Sequence, residues 1–223
     1  VFLLAIPFIF ITDYSSYSSD YLSFFILLGV FISMMGFLIR FYTIGTTPRG
    51  TSGRNTRKQV ALELNTTGVY SLLRHPLYLG NFLIWLGISF STINLFFIII
   101  MSLLFWIYYE RIMIAEESFL YMKFGEKYTD WSGNVPAIIP SFAFFKKTEI
   151  SFSFISVLRR EYSSFLACVI GFVYVEFLKN YVVKEIFSIS RLTLVVLIST
   201  CIIVFILRSL KHYTSLLNED GRS

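Results

Sequence analysis

The chain has 223 residues, of which 56% are hydrophobic and 15% charged, with 25 Phe, 14 Tyr and a net charge of +5. A soluble domain of this length has no interior for so much apolar surface, so the composition selects a polytopic helical membrane protein. The positive excess is that of loops on the inner side of a membrane, and no basic stretch is interleaved with exposed aromatics in the way a nucleic-acid-binding module requires.

Residues 1–11 form an apolar run too short to cross a bilayer alone and are read as the end of a first span. Residues 13–20 are a Ser/Tyr/Asp loop without Lys or Arg, which places them outside. A second span covers 21–39, where Gly29, Ser33 and Gly36 recur at helical spacing that lets a neighbouring backbone come close; scattered small residues on a lipid-facing helix are the equal alternative. Arg40 closes this span. The long polar segment that follows carries Arg49, Arg54, Asn55, Arg57 and Lys58 among Gly, Pro and Thr, and reads as a basic cytoplasmic loop.

A third span is expected over 78–90 and a fourth over 95–114, separated by only four residues. So short a connection makes an antiparallel helical hairpin, whose far ends meet on one side of the membrane. Arg74 and His75, before the first arm, are thereby brought to Glu110, Arg111, Glu116 and Glu117, after the second. Ionisable side chains at that depth are costly and mark a functional site. The segment after Glu117 is amphipathic and is expected to cap this end, anchored to the membrane surface by Trp131. Two further spans, 162–178 and 192–207, bring the total to about six. Glu176 is expected to snorkel to the interface, and the tail from Lys211 onward to fray. Cys168 and Cys201 lie in apolar runs and read as small packing residues. The organisation is an N-terminal part (1–64), a core (65–145) and a C-terminal helical pair (146–223).

His75 has no Cys, Asp or second His at ligand spacing, which gives no metal site, and no Gly-x-Ser-x-Gly supports a hydrolase. What remains is Arg74 and His75 as donors to an anion, a pair of carboxylates able to hold an amine, and aromatic rings at Tyr70, Tyr78, Tyr108 and Tyr109. A zwitterionic amino-acid moiety on an aromatic heterocycle matches those groups, although residue types alone do not single one out.

The run Gly68-Val69-Tyr70-Ser71-Leu72-Leu73-Arg74-His75-Pro76-Leu77-Tyr78-Leu79-Gly80-Asn81, followed by Glu116-Glu117, by Phe124-Gly125-Glu126-Lys127-Tyr128 and by Val135-Pro136 to Pro140, resembles the isoprenylcysteine carboxyl methyltransferase and phospholipid methyltransferase family of integral membrane enzymes. The resemblance implies binding of S-adenosylmethionine on the cytoplasmic side of a multi-pass protein, with a bacterial inner membrane as the expected location. By position, Gly68, Tyr70, Arg74, His75, Tyr78, Gly80, Glu116, Glu117 and Tyr128 correspond to cofactor-binding residues, and Tyr128, Pro136 and Pro140 to a lid. Arg74, Arg111 and Arg40 are the candidates for the catalytic centre, and Arg54, Asn55 and Arg57 for binding an anionic head group. The implied reaction is methyl transfer to a carboxylate or phosphate of a lipid or lipid-modified acceptor. A phospholipid amine N-methyltransferase and a non-catalytic lipid-binding or transport protein are the alternatives. The two C-terminal spans lie outside the family core.

Overall fold

The computed structural model describes residues 2–48 and 61–219. Seven helices are present among them: α1 (Phe2–Ile11), α2 (Ser19–Gly45), α3 (Pro76–Phe90), α4 (Leu95–Phe124), α5 (Glu126–Asn134), α6 (Phe154–Lys184) and α7 (Arg191–Tyr213). The long ones begin at local signals that the sequence carries. Ser18, Asn94, Ser153 and Ser190 each accept a backbone N–H from the first turn of α2, α4, α6 and α7, and α3 opens on Pro76, whose missing N–H costs nothing at a helix start.

Four helices, α2, α4, α6 and α7, are long and apolar enough to cross a membrane, and α3 is a shorter apolar helix beside them. The chain is a polytopic all-helical membrane protein. The six expected spans correspond to α1, α2, α3, α4, α6 and α7, of which α1 with 10 residues and α3 with 15 fall short of a bilayer's thickness. The long helices also overrun the expected bounds. At 30 residues, α4 rises about 45 Å against a hydrocarbon core of about 30 Å, so its last turns, with Glu116 and Glu117, stand clear of the most apolar depth.

The centre of the fold is the crossing of α2 and α3. A methyl group on Gly29 would lie 2.4 Å from the carbonyl oxygen of Gly87, and one on Gly36 would lie 2.6 Å from that of Gly80. The small residues of α2 therefore do serve close backbone approach, the arrangement favoured where lipid provides no hydrophobic drive between helices. Ser33 Oγ adds a hydrogen bond to the Ile84 carbonyl at 3.0 Å. Around this crossing Phe37, Ile84, Ile88, Phe97, Met101, Cys168 and Val175 form one buried cluster with Ala5 and Ile9 of α1. α7 packs mainly on α6 and exposes Leu192, Val195, Ile198, Ile202 and Phe205, a lipid-facing pattern.

At one end of the bundle, the turn end, Tyr14 hydroxyl donates to the Thr92 carbonyl and Lys179 Nζ to the Ser91 carbonyl, which tie α6 and the turn after α1 to the α3–α4 connection. Near the end of α6, Glu176 accepts from Ser190 N at 2.7 Å and from the Thr193 hydroxyl, closing the start of α7. One expectation is corrected by hydrogen bonding. The tail does not fray through residue 219: Arg159 donates to the Leu217 carbonyl and Asn218 Oδ1, Ser153 to Glu219, and Leu217 is buried. Both segments satisfy polar groups at helix ends that would otherwise be left unpaired.

Candidate active site

The four-residue connection folds α3 back along α4, and the opposite ends of the two helices meet as the hairpin geometry requires. His75 Nε2 lies 2.7 Å from Glu117 Oε1, a spacing at which the ring N–H donates to the carboxylate. Arg74 Nε is 3.1 Å from the same oxygen. Tyr78 hydroxyl donates to Glu116 Oε2 at 2.8 Å, and that oxygen is 3.8 Å from His75 Nδ1. The His75 and Tyr78 rings stack. Arg74, His75, Tyr78 and the two carboxylates thus interlock, with His75 buried and the others half-exposed.

The backbone of the motif is held by the segment after α5. Gly68 N donates to the Lys146 carbonyl at 2.8 Å, Arg74 N to Pro136 at 2.9 Å, His75 N to Ala137 at 3.0 Å, and Ser141 N to Leu72 at 3.0 Å. This strap runs beside residues 68–75 and satisfies donors that neither α3 nor the 3-10 turn at Gly68–Ser71 can pair internally. Gly68 has a φ of +60°, which a side chain would strain, and it starts that turn. Gly125, at φ +52°, ends α4 and turns the chain into α5. There Tyr128 is buried beneath the strap, and Trp131 Nε1 donates to the Tyr70 carbonyl at 3.0 Å. Trp131 is therefore half-buried against the site and closes it; the expected role as a membrane-surface anchor is replaced by this inward hydrogen bond.

A cavity of about 160 Å³ opens at this end, lined by Tyr70, Arg74, His75, Tyr78 and Glu116 on one side and by Arg40, Asn81, Arg160, Glu161 and Ser164 on the other. Arg40 is not a loose surface cation. Its Nε and Nη2 donate to Glu161 Oε2 and Oε1 at 2.7 and 2.6 Å, and Nη1 donates to Asn81 Oδ1, whose amide in turn donates to the Tyr109 hydroxyl at 3.1 Å. Arg40 and Glu161 are 5% and 2% exposed, so this is a fully desolvated bidentate pair. Gly80 sits opposite the stem of Arg40, where a Cβ would lie 2.5 Å from its Cγ, so its place is at the α2–α3 crossing behind the cavity wall.

Of the expected site residues, Tyr70, Arg74, His75, Tyr78, Glu116 and Arg40 line the cavity, and Glu117 and Tyr128 stand directly behind them. Arg111 is exposed and away from the cavity, because at about 100° per residue it points about 140° from Glu116 around α4. Glu110 is also exposed. Arg54, Asn55 and Arg57 lie outside the described residues. Glu161 was missed: placing the fifth span's start at Tyr162 left it among the surface charges of Arg159 and Arg160, whereas α6 begins eight residues earlier at Phe154. A carboxylate directly before the apolar run of α6, at a depth where an unpaired charge is costly, is the signal that would have found it.

Burial and the negative charge of Glu116 push the Tyr70 hydroxyl well above its ordinary range. Tyr128 is raised to about 12 by burial and by the Glu117 charge beside it, and its hydroxyl makes no hydrogen bond within 3.5 Å. A group raised in the folded state favours folding below its unfolded value near 10, and that contribution is lost as pH climbs toward 12. The expected result is that the ultraviolet difference spectrum between the protein and Tyr128→Phe shows no tyrosinate signal at pH 10, where an exposed tyrosine is about half ionised.

Among the described residues no group of three or more His, Cys, Asp or Glu converges so as to hold a metal ion. Fold and site together define a polytopic helical membrane protein with a cluster of paired charges set into one end of a glycine-packed hairpin core. Residues 24–127 match the model of the phospholipid methyltransferase family. It is 29% identical over 114 residues to a protein-S-isoprenylcysteine O-methyltransferase of Schizosaccharomyces pombe, covering 48% of each chain. It is 31% identical over 114 residues to protein-S-isoprenylcysteine O-methyltransferase B of Arabidopsis thaliana, covering 50% of this chain and 57% of the relative. It is 34% identical over 84 residues to the nickel-cobalt-cadmium resistance protein NccN of Alcaligenes xylosoxydans xylosoxydans, covering 38% and 39%. The matched segment spans about half or less of each of these relatives. No solved structure matches the chain significantly.

Proposed function

We propose that the protein is an integral membrane methyltransferase that takes S-adenosylmethionine at the α3–α4 cluster and methylates an anionic oxygen of a lipid or lipid-modified acceptor. The observation that supports this most is the interlocked set Arg74, His75, Glu116 and Glu117, gathered from two helix ends, with Arg74, His75 and Glu116 in the cavity wall and Glu117 directly behind them. The set suits a zwitterion: Arg74 and His75 can turn to a carboxylate, Glu116 and Glu117 can hold an ammonium, and Tyr70 and Tyr78 offer aromatic faces. The buried Tyr128 hydroxyl beside Glu117 is a further polar group within reach of the cluster. These residues pair with one another, which avoids leaving buried charge uncompensated.

S-adenosylmethionine supplies a methyl group activated by a sulfonium. The acceptor oxygen forms a bond to the methyl carbon as the carbon–sulfur bond breaks and its electron pair returns to sulfur. No proton moves when the acceptor is a carboxylate or phosphate, because it is already ionised at neutral pH. The residues' task is to align the reactants and exclude water, and the strap over residues 68–75 with Trp131 against Tyr70 closes the cavity on that side. The names of the isoprenylcysteine O-methyltransferase relatives favour a prenylcysteine carboxylate as acceptor. The positive loops favour a cavity facing the cytoplasm, in the inner membrane if the source is bacterial. Titration calorimetry of the purified protein with S-adenosylmethionine tests the reading; a saturable one-to-one isotherm is expected, and no binding would overturn it.

A further inference from the structure

The cavity has a second wall, and it is built differently from the first. Arg74, His75, Glu116 and Tyr78 belong to the α3–α4 hairpin, inside the family-matched segment. Arg160, Glu161 and Ser164 come from α6, which lies beyond residue 127. Facing the cavity between the two walls is Arg40.

The hydrogen-bond count on Arg40 is informative. A guanidinium has five N–H donors in a fixed fork and cannot lose its charge. Nε is used by Glu161, Nη2 once by Glu161, and Nη1 once by Asn81. One N–H therefore remains on each Nη, on a side chain whose plane is locked from two directions. Glu161 has both oxygens engaged by Arg40 and is almost fully buried, so it is not available as a base or as an ammonium partner. A buried ion pair adds little stability compared with apolar packing of the same volume, so stability alone does not explain one at a cavity wall.

Building on the methyltransferase reading, we propose that Arg40 is the residue that binds the acceptor's oxyanion, through its two remaining N–H groups, and that Glu161 is the positioning residue that aims it. Glu161 also offsets most of the Arg40 charge. The acceptor oxygen is then oriented by directional hydrogen bonds without a full ion pair, which would hold back its electron pair from the methyl carbon. The ligand class is a carboxylate or phosphate on a lipid tail. The α6 helix thereby contributes acceptor recognition to a cavity whose methyl-donor wall comes from the hairpin.

The test uses the full chain in nanodiscs of phosphatidylcholine and measures binding of two probe pairs: S-farnesylcysteine against its carboxamide, and short-chain phosphatidic acid against the matching diacylglycerol. S-adenosylmethionine affinity is measured in parallel. The unmodified protein is expected to prefer the oxyanion in at least one pair by about 10-fold, and the pair that shows it identifies carboxylate or phosphate. Arg40→Gln/Glu161→Gln removes both charges together while keeping polar side chains, and is expected to abolish the preference while S-adenosylmethionine affinity stays within about two-fold, since Arg40 and Glu161 hydrogen-bond to none of Arg74, His75, Glu116 and Glu117. If this variant fails to fold, Arg40→Leu/Glu161→Leu is the alternative, with the same loss of preference expected. Equal binding of both members in both pairs, or a preference that survives either folded variant, overturns the proposal. Failure of the unmodified protein to bind S-adenosylmethionine instead overturns the methyltransferase reading, so the two failures are separable.

Discussion

Glu117→Ala is expected to lower the affinity for S-adenosylmethionine about 100-fold, because the carboxylate that holds His75 by a hydrogen bond and Arg74 by an ion pair is lost, and one hydrogen bond to a charged group contributes about 1.5–3 kcal/mol. The substitution leaves His75, which is buried, and Arg74 without the carboxylate that joins them. Glu110→Ala is the matched control. Glu110 is exposed on the same helix, and its removal should shift neither affinity nor stability by more than about 0.5 kcal/mol. Calorimetry on the two variants checks both statements; equal losses would mean that carboxylates on α4 act through general charge and that the His75–Glu117 contact has no specific role.

Gly87→Val is expected to be the most damaging single change in the helical core. A Cβ at Gly87 would fall 2.2 Å from the Gly29 carbonyl oxygen and 2.3 Å from Ser33 Oγ, and the first of these is backbone that cannot rotate away. The α2–α3 crossing must open to admit the side chain, at a cost of about 3 kcal/mol or more. Opening it also moves the α2 face that presents Arg40 relative to the α3 face that presents Asn81 and Tyr78. A lowered thermal midpoint together with weakened S-adenosylmethionine binding is the expected result. Gly133→Val, at a site where a Cβ meets no atom within 4 Å, should cause neither. An unchanged midpoint for Gly87→Val would show that the two helices do not need their close approach.

The primary site was legible because it is local in sequence and bound by a turn. Arg74-His75-Pro76 and Glu116-Glu117 sit at opposite ends of two apolar runs, and a four-residue connection leaves few ways to join them other than face to face. Strap residues such as Pro136 could be placed near the site by resemblance, but what they do there could not. Their backbone carbonyls, which carry no side-chain signature, receive the N–H groups of Arg74 and His75. Trp131 misled for a related reason. An amphipathic ring near charged residues reads as interfacial until its indole N–H is seen to point at the Tyr70 carbonyl.

Composition, run length and turn length by themselves determined that this is a multi-pass helical protein, that two of its helices form a hairpin, and that charged residues collect at the hairpin's open end. They could do so because hydrophobicity and chain connectivity are properties of consecutive residues. Only the tertiary structure decided which cation faces the cavity. Arg40 and Arg111 look alike in sequence, yet one is held by a carboxylate 121 positions away and the other points outward from α4. Partners at that separation are set by helix rotation and packing, to which a residue's own neighbours in the chain give no guide.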